Sequence, residues 1–247
     1  MPDSLRVSLR SVLDRQFYAT CPDDWSAVAY RDLACQYLSP HATLLDFGAG
    51  RGLKPQHHFG GVAARVVGVD IDAAVLENRY LDETKVMAPG GPIPYAENSF
   101  DVVISANVLE HVQDPDAVFR EIRRVLRPGG VFVFQTPNKR HYVPAIARLT
   151  PHSFHVWVAR QRGNKSRDVF PTVYRANTVG AIRQLARRHA LTIDHLETIE
   201  GRPEYLRTFS PLYPLGILYE RMVNATPLLA PLRVVILGAL RKGAVEP

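Results

Sequence analysis

The chain reads as an α/β protein built on a parallel sheet. Between Thr43 and Thr136, short apolar runs alternate with segments of helical spacing, the pattern made by parallel strands joined by right-handed crossovers. Its run Phe100–Ala106 is almost continuously apolar, as a strand buried on both faces should be. A third observation is local. The run Thr43–Phe47 ends in a turn carrying Gly48, Gly50 and Gly52, and the run Val66–Val69 ends on Asp70. That is half of a nucleotide-binding α/β unit, with bare backbone at the turn and an acid placed to bridge a ribose.

The elements follow in order. Residues 5–17 carry Leu, Val and Arg at near-helical spacing and predict an amphipathic helix. Pro22-Asp23-Asp24 opens a second helix, Trp25–Leu38, which Ser39-Pro40 ends. After the first strand and its glycine turn, Lys54–Ala64 is a short connection, helical in part. The second strand ends at Asp70, and Asp72–Asp82 reads as a helix. Lys85–Ala88 is a weak third strand before the break Pro89-Gly90-Gly91-Pro92. Phe100–Ala106 is the fourth strand. Asp114 caps a helix with Pro115 in its first turn, and Pro128-Gly129-Gly130 stops it. Val131–Thr136 is the fifth strand. Further on, Asn177 caps a helix to His189, Leu191–Ile199 is a strand, short helices lie around Leu215–Val223, and Arg233–Leu240 is the last buried strand.

Composition sets the bounds. A chain of 247 residues, 46% hydrophobic, holds one large α/β domain, or one domain with a substantial insertion, and is not disordered. The net charge of +6 fits either an ordinary solvated surface or an anionic partner. Cys21 and Cys35 are too few for a disulfide framework, and no secretion signal opens the sequence, so a reducing cytoplasm is expected. No stretch reaches the roughly 18 uncharged apolar residues that a membrane span needs.

Charge at the glycine turn selects the ligand. Asp46 lies just before Gly48. Dinucleotide enzymes seat a pyrophosphate at this turn, and a carboxylate there would repel it. S-adenosylmethionine carries an ammonium and a sulfonium, and its charge fits. In this reading Gly48, Ala49 and Gly50 line the methionine part of the cofactor, Asp46 orients the ammonium, and Asp70 accepts from both ribose hydroxyls. The turn also departs from G-x-G-x-x-G, because position 53 is Leu. Asp46 and Leu53 both argue against a nicotinamide-dependent oxidoreductase, and a noncatalytic cofactor-binding scaffold is the other alternative.

Four segments then resemble one family in the right order. They are LLDFGAGRG at 44–52, VVGVD at 66–70, IPYAENSFDVVISANVLEHVQDP at 93–115 and RVLRPGGVFVFQTPN at 124–138. These are similar to the LLDxGxGxG, VxGxD, LPFxxxSFDVVxxxxVLEHVxDP and RVLRPGGxxxxxTPN segments of class I S-adenosylmethionine-dependent methyltransferases of the type 11 kind. The resemblance implies a Rossmann-like, seven-stranded, mostly parallel sheet in the order 3-2-1-4-5-7-6, with strand 7 antiparallel and lid insertions. It implies cofactor contacts at Asp46, Gly48, Gly50 and Asp70, with Ile71 against the adenine and Ala106 and Asn107 beside the methionine portion. The acid that relatives place after the third strand is missing near Met87–Gly90, so backbone groups are expected to hold the adenine. Some relatives bind a divalent ion after the fourth strand. Here Asn107 replaces the first ligand, and Glu110 with His111 is a poor set for a hard cation, so no metal is expected.

The expected organisation is a helical cover over residues 1–40 and a methyltransferase domain over 41–247. Insertions at about 137–176 and 201–231 form the acceptor pocket. The first leaves the carboxyl end of a central strand, where open α/β sheets bind ligands. It carries His141, Tyr142, His152, His155 and, near its end, Tyr174. A hydroxyl acceptor must lose a proton, and histidine suits that task near neutral pH. His141 is the first candidate base and His111 the second; Tyr142, His152, His155 and Tyr174 are candidate acceptor contacts. The acceptor expected is the oxygen of a sugar, saccharide precursor or lipid-linked glycan, or else an aromatic or polyketide hydroxyl. The basic run Arg160, Arg162, Lys165 and Arg167 fits an exposed loop or an anion clamp, and no nucleic-acid-reading module is visible. The apolar stretch from Phe209 to Val235 fits core and pocket wall, or a lipid-facing patch with peripheral membrane contact.

Overall fold

The computed structural model describes residues 8–144 and 171–244. The chain divides into two compact units. Among the described residues, one comprises 27–139, 171–198 and 235–244, and the other 8–26, 140–144 and 199–234.

The larger unit is the sheet. Its strands are β1 (Thr43–Phe47), β2 (Arg65–Asp70), β3 (Glu83–Val86), β4 (Phe100–Ala106), β5 (Leu126–Pro137), β6 (Leu191–Ile199) and β7 (Val235–Lys242), in the order 3-2-1-4-5-7-6. β1 pairs parallel with β2 and β4, and β7 runs antiparallel to β5, with Phe134 opposite Gly238. This is the sheet that the four sequence segments imply. Apolar side chains from the strands, among them Leu45, Val67, Val103 and Phe132, form the core with Phe119 and Ile122 of helix α3 (Pro115–Val125) and Ile182 of helix α4 (Val179–Arg188). Parallel register brings the carboxyl ends of β1, β2 and β4 together, because Asp46 sits beside Gly68 and Ile104.

The connection before β2 is short and helical in part, as expected, and the one after β2 differs. Between β1 and β2 there is only a 3-10 turn, Pro55–His57. Helix α2 (Trp25–Cys35) supports that link: Arg31 donates from Nη1 to the carbonyls of Gln56 (3.1 Å) and His58 (2.5 Å), and its guanidinium lies 4.9 Å from the Phe59 ring centroid. After β2, the expected helix Asp72–Asp82 is a 3-10 segment, Ala73–Glu77. Two side chains stop it. Asn78 turns back to the glycine turn, and Asp82 accepts from the Val66 amide at 2.7 Å while its own amide bonds to the Val66 carbonyl. The chain is thereby returned to the sheet edge, and β3 begins at Glu83, two residues before the expected start.

Other differences are smaller. α2 ends at Cys35 because the Gln36 and Tyr37 amides close the last turn with i→i−3 bonds. β5 starts at Leu126 and runs through the Pro-Gly-Gly segment with a register shift. There Arg241 caps the Gly129 carbonyl at 2.8 Å, and Lys242 caps that of Leu126 at 2.6 Å. The N-cap of α4 is Thr178, not Asn177: Thr178 Oγ1 accepts from the Ala181 amide at 3.1 Å.

The second unit is helical. α1 (Leu9–Phe17) is capped by Ser8, and α5 (Glu204–Arg207) precedes α6 (Tyr213–Asn224). Asp14 of α1 accepts from Arg207 Nη2 at 2.8 Å and from the Tyr213 hydroxyl at 2.6 Å, which holds its carboxyl below the usual range despite partial burial. Tyr18 stacks on Tyr213 and donates to Glu220 at 3.1 Å. No helix among the described residues is long and apolar enough to cross a membrane.

Candidate active site

Within the sheet unit, the predicted cofactor residues converge at the carboxyl ends of β1, β2 and β4. The amides of Gly48 and Ala49 donate to the Val69 carbonyl (2.8 and 3.2 Å), which folds the turn back over β2. The Gly50 amide donates to Asp70 Oδ2 at 2.9 Å, and the Asp72 amide donates to Asp70 Oδ1 at 2.9 Å. Asp70 is thus held by the backbone on both sides of its carboxylate, with lone pairs left for further donors.

Gly48 and Gly50 serve different ends. Gly48 has φ of +80°, and a Cβ there would lie 2.3 Å from Val108 Cγ2, so packing requires glycine. A Cβ at Gly50 would meet no atom of the chain within 4 Å. The turn is therefore open on the Gly50 side. Asp46 is 8% exposed, and burial, reinforced by the charge of Asp70, raises its carboxyl to about 7. A cationic group beside it would return it to the charged form, whereas an anion would be repelled. No helix follows the turn closely enough to offer its N-terminus to a phosphate. These residues fit the ammonium, sulfonium and ribose of S-adenosylmethionine.

Ile71 is exposed just beyond Asp70, and Ala106 and exposed Asn107 end β4. Asn107 has φ of +58° and donates its amide to the Gln135 carbonyl at 3.0 Å. His111 lies on the turn that follows. Its Nδ1 is 2.9 Å from the Pro171 carbonyl, which only accepts, so Nδ1 donates in that bond. Glu110 Oε1 is 3.9 Å from that Nε2.

A buried network missed by sequence reasoning ties this turn to β5. Glu110 Oε2 accepts from the Thr136 hydroxyl at 3.1 Å, and Thr136 Oγ1 accepts from Asn177 Nδ2 at 2.6 Å. The Glu110 carbonyl accepts from the Val173 and Tyr174 amides, and Tyr174 has φ of +52°. For a bulky residue that is a strained backbone, of the kind found around functional sites. Burial raises the Glu110 carboxyl. The signal in sequence was an acid and two hydrogen-bonding residues at three strand or loop ends, with nothing local to connect them.

His141 and Tyr142 belong to the helical unit. His141 is 2% exposed, and burial lowers its pKa to about 3. Its Nδ1 accepts from the Val143 amide at 3.3 Å, and its Nε2 is 3.5 Å from Glu200 Oε2. Burial raises Glu200 to about 8, although Glu200 also accepts from the Val234 amide at 2.8 Å. Tyr142 and Tyr219 pack edge to face beside this pair, ring centroids 4.8 Å apart. His152, His155 and the basic run Arg160 to Arg167 lie outside the described residues.

The fold and the charge pattern at the turn define a cofactor-binding α/β domain made for a cationic nucleoside ligand. The stretch that carries this site is similar to class I S-adenosylmethionine-dependent methyltransferases, whose cofactor is S-adenosylmethionine. Residues 45–134 match the family model described as a methyltransferase domain. A probable S-adenosylmethionine-dependent methyltransferase of Mycolicibacterium smegmatis is 36% identical over 116 residues, covering 45% of this chain and 44% of that protein. A similarly named protein of Mycobacterium tuberculosis is 34% identical over 164 residues, 62% of this chain and 59% of that one. The chain thus spans about half the length of these curated relatives. A solved methyltransferase structure from Mesorhizobium loti shares the fold at a TM-score of 0.53, with 19% identity over 88% of this chain and 97% of the other.

Proposed function

We propose that this protein transfers the methyl group of S-adenosylmethionine to a hydroxyl oxygen of a small acceptor, a sugar, saccharide precursor or lipid-linked glycan, and that it does so in the cytoplasm. The cofactor supplies an electrophilic methyl on a sulfonium. The protein's share is alignment of the acceptor for in-line displacement and removal of one proton. The oxygen–carbon bond forms as the sulfur–carbon bond breaks, and the hydroxyl proton passes to a base.

The observation that carries this reading is His111. Its Nδ1 is held by the Pro171 carbonyl, so in the neutral ring Nε2 is the basic nitrogen; its side chain is 30% exposed, and it follows β4 in the same unit as the glycine turn. Once protonated, its imidazolium would be stabilised by Glu110, 3.9 Å away. His141 ranks second. Its Nδ1 already accepts a backbone proton, and burial holds the ring neutral and weakly basic. Tyr142, Tyr174, His152 and His155 remain the proposed acceptor contacts. A lipid-linked acceptor is favoured by Leu215, Leu218 and Met222, which stay exposed along one face of α6 on a chain of net charge +6.

The test is transfer of radiolabelled methyl to a panel of free sugars, lipid-linked saccharides, phenols and thiols. Label in an alkali-stable ether of a saccharide is the expected result. Label only in thiols overturns the oxygen assignment, and label in no acceptor favours the noncatalytic scaffold. Flotation with anionic vesicles tests the membrane contact, and a protein that stays wholly in the lower fraction counts against it.

A further inference from the structure

In an ordinary βα unit, the carbonyls of the glycine turn are taken up by the first turn of the crossover helix. Here that helix is absent, and the carbonyls must find other donors. Two side chains supply them. Asn78 Nδ2 donates to the carbonyls of Gly50 (3.2 Å) and Ala49 (3.4 Å), and a ring nitrogen of His58, Nε2, donates to that of Gly52 at 2.8 Å. The amide of Asn78 cannot be reversed without loss, because its Oδ1 accepts from the Tyr80 amide at 3.1 Å. Asn78 is 6% exposed, and a Cβ at Gly52 would lie 2.5 Å from its Oδ1. The His58 ring is held in turn by stacking on Tyr80, with centroids 3.5 Å apart and planes at 16°.

We propose that Asn78 and His58 are positioning residues for the cofactor: a side-chain latch that replaces the missing helix and sets the shape of the glycine turn. Neither touches a reacting atom. The latch acts on Gly50, whose carbonyl Asn78 holds and whose amide Asp70 holds, so the turn is fixed from both sides at the residue that opens to the ligand. Asn78 thereby links the spacing between the turn and the ribose-binding carboxylate to a residue beyond it in the chain. The inference rests on the glycine turn being the seat of the cofactor.

The test is calorimetric affinity for S-adenosylhomocysteine, with steady-state kinetics beside it. Asn78→Asp keeps the size of the side chain but sets a carboxylate against two carbonyls. His58→Phe keeps the stack on Tyr80 and removes the bond to Gly52. Each variant is expected to bind at least tenfold more weakly, and to raise KM for the methyl donor with kcat within twofold of the parent. Asn78→Gln is expected to recover part of the affinity. Asp70→Asn is measured in parallel. Parental affinity in both latch variants, with affinity lost in Asp70→Asn, overturns the latch alone. Parental affinity in Asp70→Asn overturns the seat itself. If Asn78→Asp does not fold, His58→Phe decides the matter by the same readout.

Discussion

Asp46 and Asp70 end neighbouring parallel strands, and burial of the first, with the negative charge of the second added, raises the Asp46 carboxyl to about 7. The site thus holds an acid, Asp46, that is half protonated near neutral pH. Bringing a cationic ligand to Asp46 favours the ionised form. Affinity for S-adenosylmethionine is therefore expected to fall about tenfold for each pH unit below 7. Calorimetry at pH 8 and pH 6 checks this, and Asp46→Asn should flatten the profile while weakening binding at pH 8. A parent affinity equal at both values would show that Asp46 stays charged without the ligand.

The same shift has a signature in stability, of opposite sense. The folded pKa of Asp46 lies above its ordinary value of 3.8. Between those values the folded state holds a proton that the unfolded chain releases. The contribution is complete below about 4 and is lost as pH rises through 7. Asp46→Asn carries no such titration. Its Tm should exceed that of the parent by a margin that grows from pH 5 to pH 8, followed by thermal unfolding without ligand.

The two histidines should separate kinetically. His111→Gln is expected to lower kcat by about 10²–10⁴-fold, the usual contribution of general base catalysis, with affinity for S-adenosylhomocysteine within twofold of the parent. His141→Gln should leave the pH–rate profile in place. If the acidic limb of that profile disappears in His141→Gln and persists in His111→Gln, the assignment is reversed.

Much of the sheet was legible because its signals are local. Phe100–Ala106 follows the Asn98-Ser99 turn as one apolar run, and Thr43–Phe47 stops at the first glycine; both strands have the expected bounds. The reduced connection after β2 was not legible. Asp72–Asp82 has helical composition, but Asn78 and Asp82 are bonded to partners far away in sequence, and those bonds override local preference. The candidate site divides in the same way. Asp46 and Asp70 stand out beside their own strand ends, whereas Asn78 meets Gly50 across 28 residues and Glu110 meets Thr136 across 26. Asn177, read as a helix cap, donates instead to Thr136 and to the Pro137 carbonyl.

The glycines of the turn offer a contrast within a few ångströms. Gly48→Ala is expected to destabilise the fold by about 1–3 kcal/mol, because its Cβ meets Val108 and its φ is strained. Gly50→Ala meets no atom of the chain and carries only the strain of its φ of +50°. Its larger effect should fall on ligand affinity, with Tm lowered less than in Gly48→Ala. Urea unfolding and calorimetry on both variants measure the two effects.

The grip of Arg31 on the Gln56 and His58 carbonyls reaches beyond the glycine turn to how this protein can be cut and recombined. The match to the family model begins at Leu45, yet the scaffold beneath the first loop is supplied from upstream of it. A chimera that grafts residues 45–134 alone onto a foreign terminus would lose that brace and, with it, the firm footing of His58. Swaps intended to change acceptor choice should therefore carry α2 along with the sheet.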